Sequence, residues 1–323
     1  MYVVTGCAGF IGFHLTKFLL NKNFEVIGID SLNNYYSKKL KIERLNILKK
    51  EKKFNFFKID LSNKKKINQL FNKLNKFKLI HLAAQPGVVY SFKNPESYYK
   101  NNVLATKVLV DEIKKKKIDQ FIFVSSSSVY GNQKKYPIKE DAKLKPINYY
   151  ASTKILCEKY IKNKLKYFNS SIKIIRPFTV YGPFGRPDML ILKYLNFIKR
   201  KKKIDIFNYG NHLRDFTYVN DVVRIIYQLS KIKNDKIQTF NICASKPIKI
   251  DKILNYFEKI LNKRIPVNKK PKRVGEMDIT FGSNNKLKKF IKFQNFISIK
   301  TGLKNTIEWY KKFKKKELFD LYK

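Results

Sequence analysis

Tyr2-Val3-Val4-Thr5-Gly6-Cys7-Ala8-Gly9-Phe10-Ile11-Gly12 decides the fold. The apolar, β-branched run 2–5 has the form of a buried strand. Leu15, Phe18, Leu19 and Leu20 then recur at helical spacing, and a second apolar run, Phe24 to Ile29, ends at Asp30. Glycines 6, 9 and 12 therefore lie between a strand and a helix. The spacing is GxxGxxG rather than GxGxxG, but the physics is shared. Glycines permit a tight turn and let backbone approach a pyrophosphate, which sits on the helix N-terminus. An acid ending the second strand can bond both ribose hydroxyls and repels a 2′-phosphate, so Asp30 favours NAD over NADP. Phe10 and Ile11, in the same turn, join the glycines as expected cofactor contacts.

The alternation continues outward. Phe54 to Ile59 reads as a strand ending at Asp60, with Leu61 beside it on the adenine side. Leu79 to Ala84 is another strand, whose small Ala83 and Ala84 suit close passage of a cofactor. Ser97 to Lys117 reads as one long helix, and Phe121 to Val124 as a strand running into four serines, 125–128. Repeated units of this length predict an α/β protein with a doubly wound parallel sheet. Ligands on such sheets sit at the carboxyl ends of the strands, where Asp30, Asp60, Ala83 and the serines all fall.

The 323 residues are 44% hydrophobic, enough for a sizeable core and too apolar for a disordered chain. Cysteines 7, 157 and 243 are too few and too scattered for a disulfide scaffold or a zinc module, and they fit a reducing compartment. No apolar run approaches the roughly 18 residues of a membrane span, and residues 1–6 do not read as a secretory leader. A cytoplasmic protein is the expectation. His14, His81 and His212 have no metal-ligand spacing, and no metal is expected. The net charge of +46 is spread along the whole chain in small lysine clusters. It favours anionic ligands, but lacks the concentrated, aromatic-interleaved form of a dedicated nucleic-acid binder.

The chemistry lies further on. Tyr149-Tyr150-Ala151-Ser152-Thr153-Lys154 opens a helix, so Tyr150 and Lys154 share a face. A phenol with pKa about 10 is a poor base at neutral pH. A nearby ammonium and a cationic nicotinamide favour its phenolate. A serine hydroxyl ending a neighbouring strand can bond the same substrate oxygen.

With Ser125 to Gly131, Tyr150 to Lys154 and Arg176-Pro177-Phe178-Thr179-Val180-Tyr181-Gly182-Pro183, these segments resemble the extended short-chain dehydrogenase/reductase superfamily, within it the NAD-dependent nucleotide-sugar epimerases. Three stretches, Asp30 to Tyr36, Gly185 to Met189 and Asn208 to Tyr218, resemble the UDP-glucuronate 4-epimerase group. The resemblance implies a Rossmann fold and a redox epimerisation. Tyr150 takes the proton of the sugar 4-OH while hydride passes to tightly bound NAD, and hydride returns to the other face of the 4-keto sugar. Lys154 also holds the nicotinamide ribose, Ser126 is the catalytic hydroxyl, and Asn102 and Pro177 join the cofactor contacts. Ser127 and Ser128 stand where related 4,6-dehydratases carry an Asp-Glu pair. They leave room for a carboxylate on C5 and can donate to it, with Thr179 and Arg186 nearby. Arg214 and Arg273 match diphosphate positions, and Asp278 a position near the uridine. Ala105 replaces the glycine usual in relatives.

The expected architecture has an NAD-binding domain over 1–179 plus about 217–264. A smaller α/β substrate domain covers about 180–216 plus 265–301, and a terminal helix at 302–323 is unassigned. A homodimer through two helices per subunit, 97–117 and 147–167, is expected. UDP-glucuronate decarboxylation and neutral UDP-hexose epimerisation are the alternatives on this scaffold. A non-catalytic polyanion binder is the alternative outside it.

Overall fold

A computed structural model describes residues 1–234, 237–293, 295–315 and 318. Strands β1 (Tyr2–Thr5), β2 (Val26–Asp30), β3 (Phe54–Lys58), β4 (Lys78–His81), β5 (Gln120–Val124), β6 (Ser171–Pro177) and β10 (Gln238–Ile242) form one parallel sheet. Their order is β3-β2-β1-β4-β5-β6-β10. The chain order reverses between β1 and β4, which opens a crevice at the carboxyl edge.

Helices α1 (Phe10–Asn21), α2 (Lys38–Leu48) and α9 (Val219–Leu229) cover one face. The other face carries α3 (Lys64–Asn72), α6 (Ala105–Ile113) and α7 (Tyr149–Lys164). The strands are buried on both sides, which explains their continuous apolar runs.

The helix expected over 97–117 is interrupted. Short turns α4 (Tyr90–Lys93) and α5 (Pro95–Tyr98) lead into a π-helical segment, Tyr99–Leu104, before α6 resumes. At the widened turn Asn102 faces inward. Its Oδ1 accepts from Gln85 N at 2.6 Å, and its Nδ2 donates to Gln85 O at 3.1 Å and Thr153 Oγ1 at 3.0 Å. The π segment thereby ties the loop after β4 to the middle of α7. Ala105 is buried where α6 begins.

The smaller unit holds β7 (Thr179–Tyr181), β9 (Leu213–Tyr218) and β11 (Pro247–Lys249) in one sheet, and β8 (Ile204–Phe207) with β12 (Val267–Lys270) in another. Around them pack α8 (Leu190–Lys199), α10 (Ile250–Leu261) and α12 (Ile299–Lys312). The expected division shifts here. Residues 247–261 do not return to the nucleotide unit, because Ile250, Ile253, Leu254 and Phe257 form a helical stripe packed with Leu192, Tyr194 and Leu195. Helix α12 joins the same core through Leu303, Ile307 and Tyr310. Conversely, α11 (Asn285–Ile291) packs Leu287 and Ile291 on the nucleotide-side core. Most of the terminal segment beyond α12 lies outside the described residues. None of the described helices is long and apolar enough to cross a membrane.

Candidate active site

The carboxyl edge of the large sheet and the inner wall of the smaller unit enclose a cleft of about 1110 Å³. At one end is the glycine turn. Gly9 caps α1 in extended conformation, and no side chain occupies the cap. The first-turn N–H groups of α1 thus face the cleft unspent, a ready anion site. The turn tolerates no larger residue. A Cβ on Gly12 would meet Gly6 O at 2.0 Å, and Gly6, at φ 72°, lies 2.8 Å in the same sense from Ala83 N.

Gly6, Gly9, Phe10, Ile11, Gly12, Asp30, Asp60, Leu61, Ala83, Ala84 and Pro177 all line the cleft. Asp30 is oriented by backbone, its oxygens accepting from Ala8 N at 3.1 Å and Leu32 N at 2.8 Å. Burial pushes its pKa up, against the pull of Leu32 N–H and Lys41. Asp60 accepts from the backbone and hydroxyl of Ser62 at 2.9 and 2.8 Å. Burial opposes these bonds and Lys100, yet its pKa stays below the usual carboxylate value. The open helix end, the glycine cradle and the two acids at successive strand ends fit NAD. Asn102, expected as a cofactor contact, is instead buried behind the wall, its side chain consumed by Gln85 and Thr153.

In the middle of the cleft stand Ser126, Tyr150 and Lys154. Ser126 caps a 3-10 turn after β5. Its Oγ accepts from Ser128 N and donates to Ser128 Oγ, both at 3.1 Å. Tyr150, in the first turn of α7, stands close enough to Ser126 for its hydroxyl to act on the phenol. Burial raises its pKa, and Ser126 and then Arg186 pull it down. Lys154 is buried one turn further along α7. Its ammonium donates to Val124 O at 2.8 Å and lies 4.8 Å above the Phe123 ring. Burial lowers its pKa to about 8. The cationic influence on Tyr150 comes from Arg186, across the cleft.

Ser127, Ser128, Thr179 and Arg186 line the same chamber. Arg186 holds Asp188 through Nε at 3.0 Å and through Nη2, and its guanidinium lies 5.7 Å from the centre of the Tyr35 ring. Tyr35 in turn donates to Asp188 at 3.3 Å. Arg214 and Arg273 line the far end. Arg214 donates to the carbonyls of Leu213 and Asp278 at 3.0 and 3.1 Å. Arg273 pairs with Glu276 and lies 3.8 Å over the Phe207 ring. The Asp278 carboxylate does not line the cleft. It faces Lys272 at 2.7 Å and lies 4.0 Å from His212 of the site wall, and its backbone carbonyl accepts from Arg214. No cluster of histidine, cysteine and carboxylate able to hold a metal occurs among the described residues.

Lys41, Lys193 and Phe207 also line the cleft outside every quoted stretch, and Tyr35, Asp188 and Glu276 line it without having been given a role. One usable signal was arginine scarcity. The chain has eight arginines, and five of them, Arg44, Arg176, Arg186, Arg214 and Arg273, are buried or half-buried around the site or its supports. Arg176 makes a fully buried two-point pair with Glu158 at 2.9 and 2.6 Å and donates to Tyr130 at 2.8 Å, pinning α7 to β6.

A dinucleotide cradle joined to a buried Ser-Tyr-Lys group defines an enzyme that moves a proton and a hydride on one substrate carbon. The chain belongs to the NAD dependent epimerase/dehydratase family, whose profile matches residues 2–243. A UDP-glucuronate 4-epimerase of Thermodesulfobacterium geofontis is 36% identical over 312 residues, covering 96% of each chain. The structure of the UDP-glucuronic acid 4-epimerase of Bacillus cereus, in complex with UDP-glucuronic acid and NAD, superposes with a TM-score of 0.90. It is 32% identical and covers 96% of this chain and 98% of that one. The UDP-glucose 4-epimerase of Thermotoga maritima gives 0.87 at 28% identity, covering 96% and 98%.

Proposed function

We propose that the protein is an NAD-dependent UDP-sugar 4-epimerase whose substrate is UDP-glucuronate and whose product is UDP-galacturonate. One observation carries the choice of sugar. The cleft that holds Tyr150 is lined by Ser127, Ser128 and Thr179, three neutral donors, and by Arg186, a cation paired with Asp188. A carboxylate on C5 finds hydrogen bonds there, and charge-assisted bonds are the strong ones. Similarity to UDP-glucuronate 4-epimerases supports the same reading.

NAD, held by the glycine turn, Asp30, Asp60 and Lys154, supplies a reversible hydride acceptor. The remaining work belongs to side chains. Tyr150 takes the 4-hydroxyl proton through its oxygen and returns it. Ser126, which draws the Tyr150 pKa down, aligns the same oxygen. Arg214 and Arg273 bind the diphosphate, Arg273 exchanging Glu276 for phosphate. A 4-keto sugar with a C5 carboxylate is a β-keto acid that can lose carbon dioxide. Ser127, Ser128 and Thr179 hold the carboxylate out of alignment with the carbonyl π-system.

The two nearest alternatives are separated by kinetics. kcat/KM for UDP-glucuronate is expected to exceed that for UDP-glucose by at least about 100-fold, about 3 kcal/mol of differential transition-state binding. A ratio near one overturns the assignment of the sugar. Residues 97–117 and 147–167 expose Tyr99, Leu104 and Leu156 at 45%, 39% and 46%. These side chains, on adjacent helices, support the homodimer contact. Light scattering at the monomer mass would refute it.

A further inference from the structure

Arg44 and Arg176 are the bulkiest side chains buried completely among the described residues, and unlike Arg176, Arg44 forms no ion pair there. All its hydrogen bonds go to neutral oxygens. Nη1 donates to Ala8 O at 2.8 Å and Tyr36 Oη at 2.6 Å, and Nη2 donates to Phe184 O at 2.7 Å and Gly185 O at 3.2 Å. Stripping a guanidinium of water without a carboxylate is costly, so its retention needs a reason.

The reason lies in what the fork joins. Ala8 sits between Gly6 and Gly9 in the cofactor cradle, and its N–H is already held by Asp30. Phe184 and Gly185 directly precede Arg186. His14 of α1 takes the carbonyl before them, Pro183, at 2.7 Å. A carbonyl only accepts, so His14 Nε2 donates, and burial lowers the ring's pKa to about 4 and keeps it neutral. Three successive carbonyls are thus held by the nucleotide unit. Between them Phe184 is kept left-handed at φ 51°, a conformation a bulky residue rarely adopts without external restraint.

We propose that Arg44 is a positioning residue that couples the two ligand subsites, transmitting occupancy of the glycine cradle to the placement of Arg186. A pyrophosphate on the α1 N-terminus fixes the 6–9 turn. The Ala8 carbonyl then fixes the guanidinium, and the guanidinium fixes 184–185 and the arm that follows. By linkage the sugar end strengthens cofactor retention by the same factor. Lysine does not substitute, because a single ammonium cannot reproduce a planar fork between two separated carbonyl groups. This inference rests on the reading of Arg186 as a sugar-side residue.

The test uses the Tyr150→Phe background, in which substrate binds without turnover. UDP-glucuronate binding is measured by calorimetry on NAD-loaded and NAD-stripped protein. The loaded form is expected to bind about tenfold tighter, within the usual range of coupling. Adding Arg44→Lys is expected to bring that ratio to within about twofold of one. A ratio retained in Arg44→Lys, or absent in the parent, overturns the coupling. The single tryptophan, Trp309, packs 4.8 Å from Phe184 and gives a second readout. Its emission should shift on adding NAD to the stripped parent and not to Arg44→Lys; the same shift in both overturns the coupling. If Arg44→Lys does not fold, His14→Leu frees only the Pro183 carbonyl and should reduce the ratio about threefold; an unchanged ratio has the same adverse meaning. Binding to neither form of the parent would sink the substrate reading, and this inference with it. Equal binding to both sinks only the coupling.

Discussion

The ammonium of Lys154 lies 2.8 Å from the carbonyl oxygen of Val124, the last residue of β5. That bond fixes the cation at the sheet edge, over the Phe123 ring, rather than against the phenol of Tyr150 one turn earlier. The catalytic group therefore divides its labour. On the proposed reading Lys154 serves the cofactor, while Ser126 and then Arg186 draw the Tyr150 pKa down against burial.

Tyr150→Phe should lower turnover by about 10³-fold, within the range general acid–base groups contribute, while UDP-sugar affinity changes less than about threefold. Ring burial is preserved and only the hydroxyl is lost. Paired activity and calorimetry check this. Loss of binding and rate together would assign Tyr150 a packing role.

Lys154 has a pH signature. Its pKa falls from 10.5 to about 8 in the folded protein because burial disfavours the ammonium. Between those values the unfolded chain binds more protons than the native one, so this group's contribution makes stability rise with pH across the window of about 8 to 10.5. Lys154→Met should flatten that slope in urea titrations run at several pH values, and should lower turnover about 100-fold or more. An unchanged slope would show the ammonium is not desolvated.

Ser127→Ala with Ser128→Ala removes the hydroxyls held to restrain the carboxylate. The double variant should release a UDP-pentose alongside the epimer and raise KM for UDP-glucuronate about 30-fold, two hydrogen bonds to a charge each contributing on the order of 1 kcal/mol. Product analysis by mass spectrometry decides. No more pentose than wild type means the serines do not prevent decarboxylation.

Asp278→Ala should be almost silent. The carboxylate is 48% exposed and paired with Lys272 on the outer side, and such surface pairs contribute about 0–1 kcal/mol. KM should move less than about twofold. A tenfold rise would mean that the 273–278 segment turns this side chain inward on ligand binding.

Much of this arrangement was legible in the residues. Buried parallel strands need largely apolar runs, and 2–5, 24–29 and 121–124 supplied them. Gly6, Gly9 and Gly12 marked the cradle because no side chain fits there. Tyr150 and Lys154 announced themselves by sharing a helical face in the right place. What was hidden depends on tertiary contact. The π turn at 99–104 exists because Asn102 answers Gln85 and Thr153, residues far from it in sequence. The stripe Ile250, Ile253, Leu254, Phe257 packs on the smaller unit, a tertiary choice that no local motif states. Arg44 lies in no motif, and its four acceptors come from three separate segments. Asp278 lay in a motif whose backbone bonds Arg214 while its carboxylate faces Lys272.

The central claim is tested most directly by proton NMR of the purified protein mixed with UDP-glucuronate and no added cofactor. The account predicts conversion to an equilibrium mixture with UDP-galacturonate, carboxylate retained, supported by NAD that co-purifies. A UDP-pentose as the main product, or no conversion even after NAD is supplied, would contradict it.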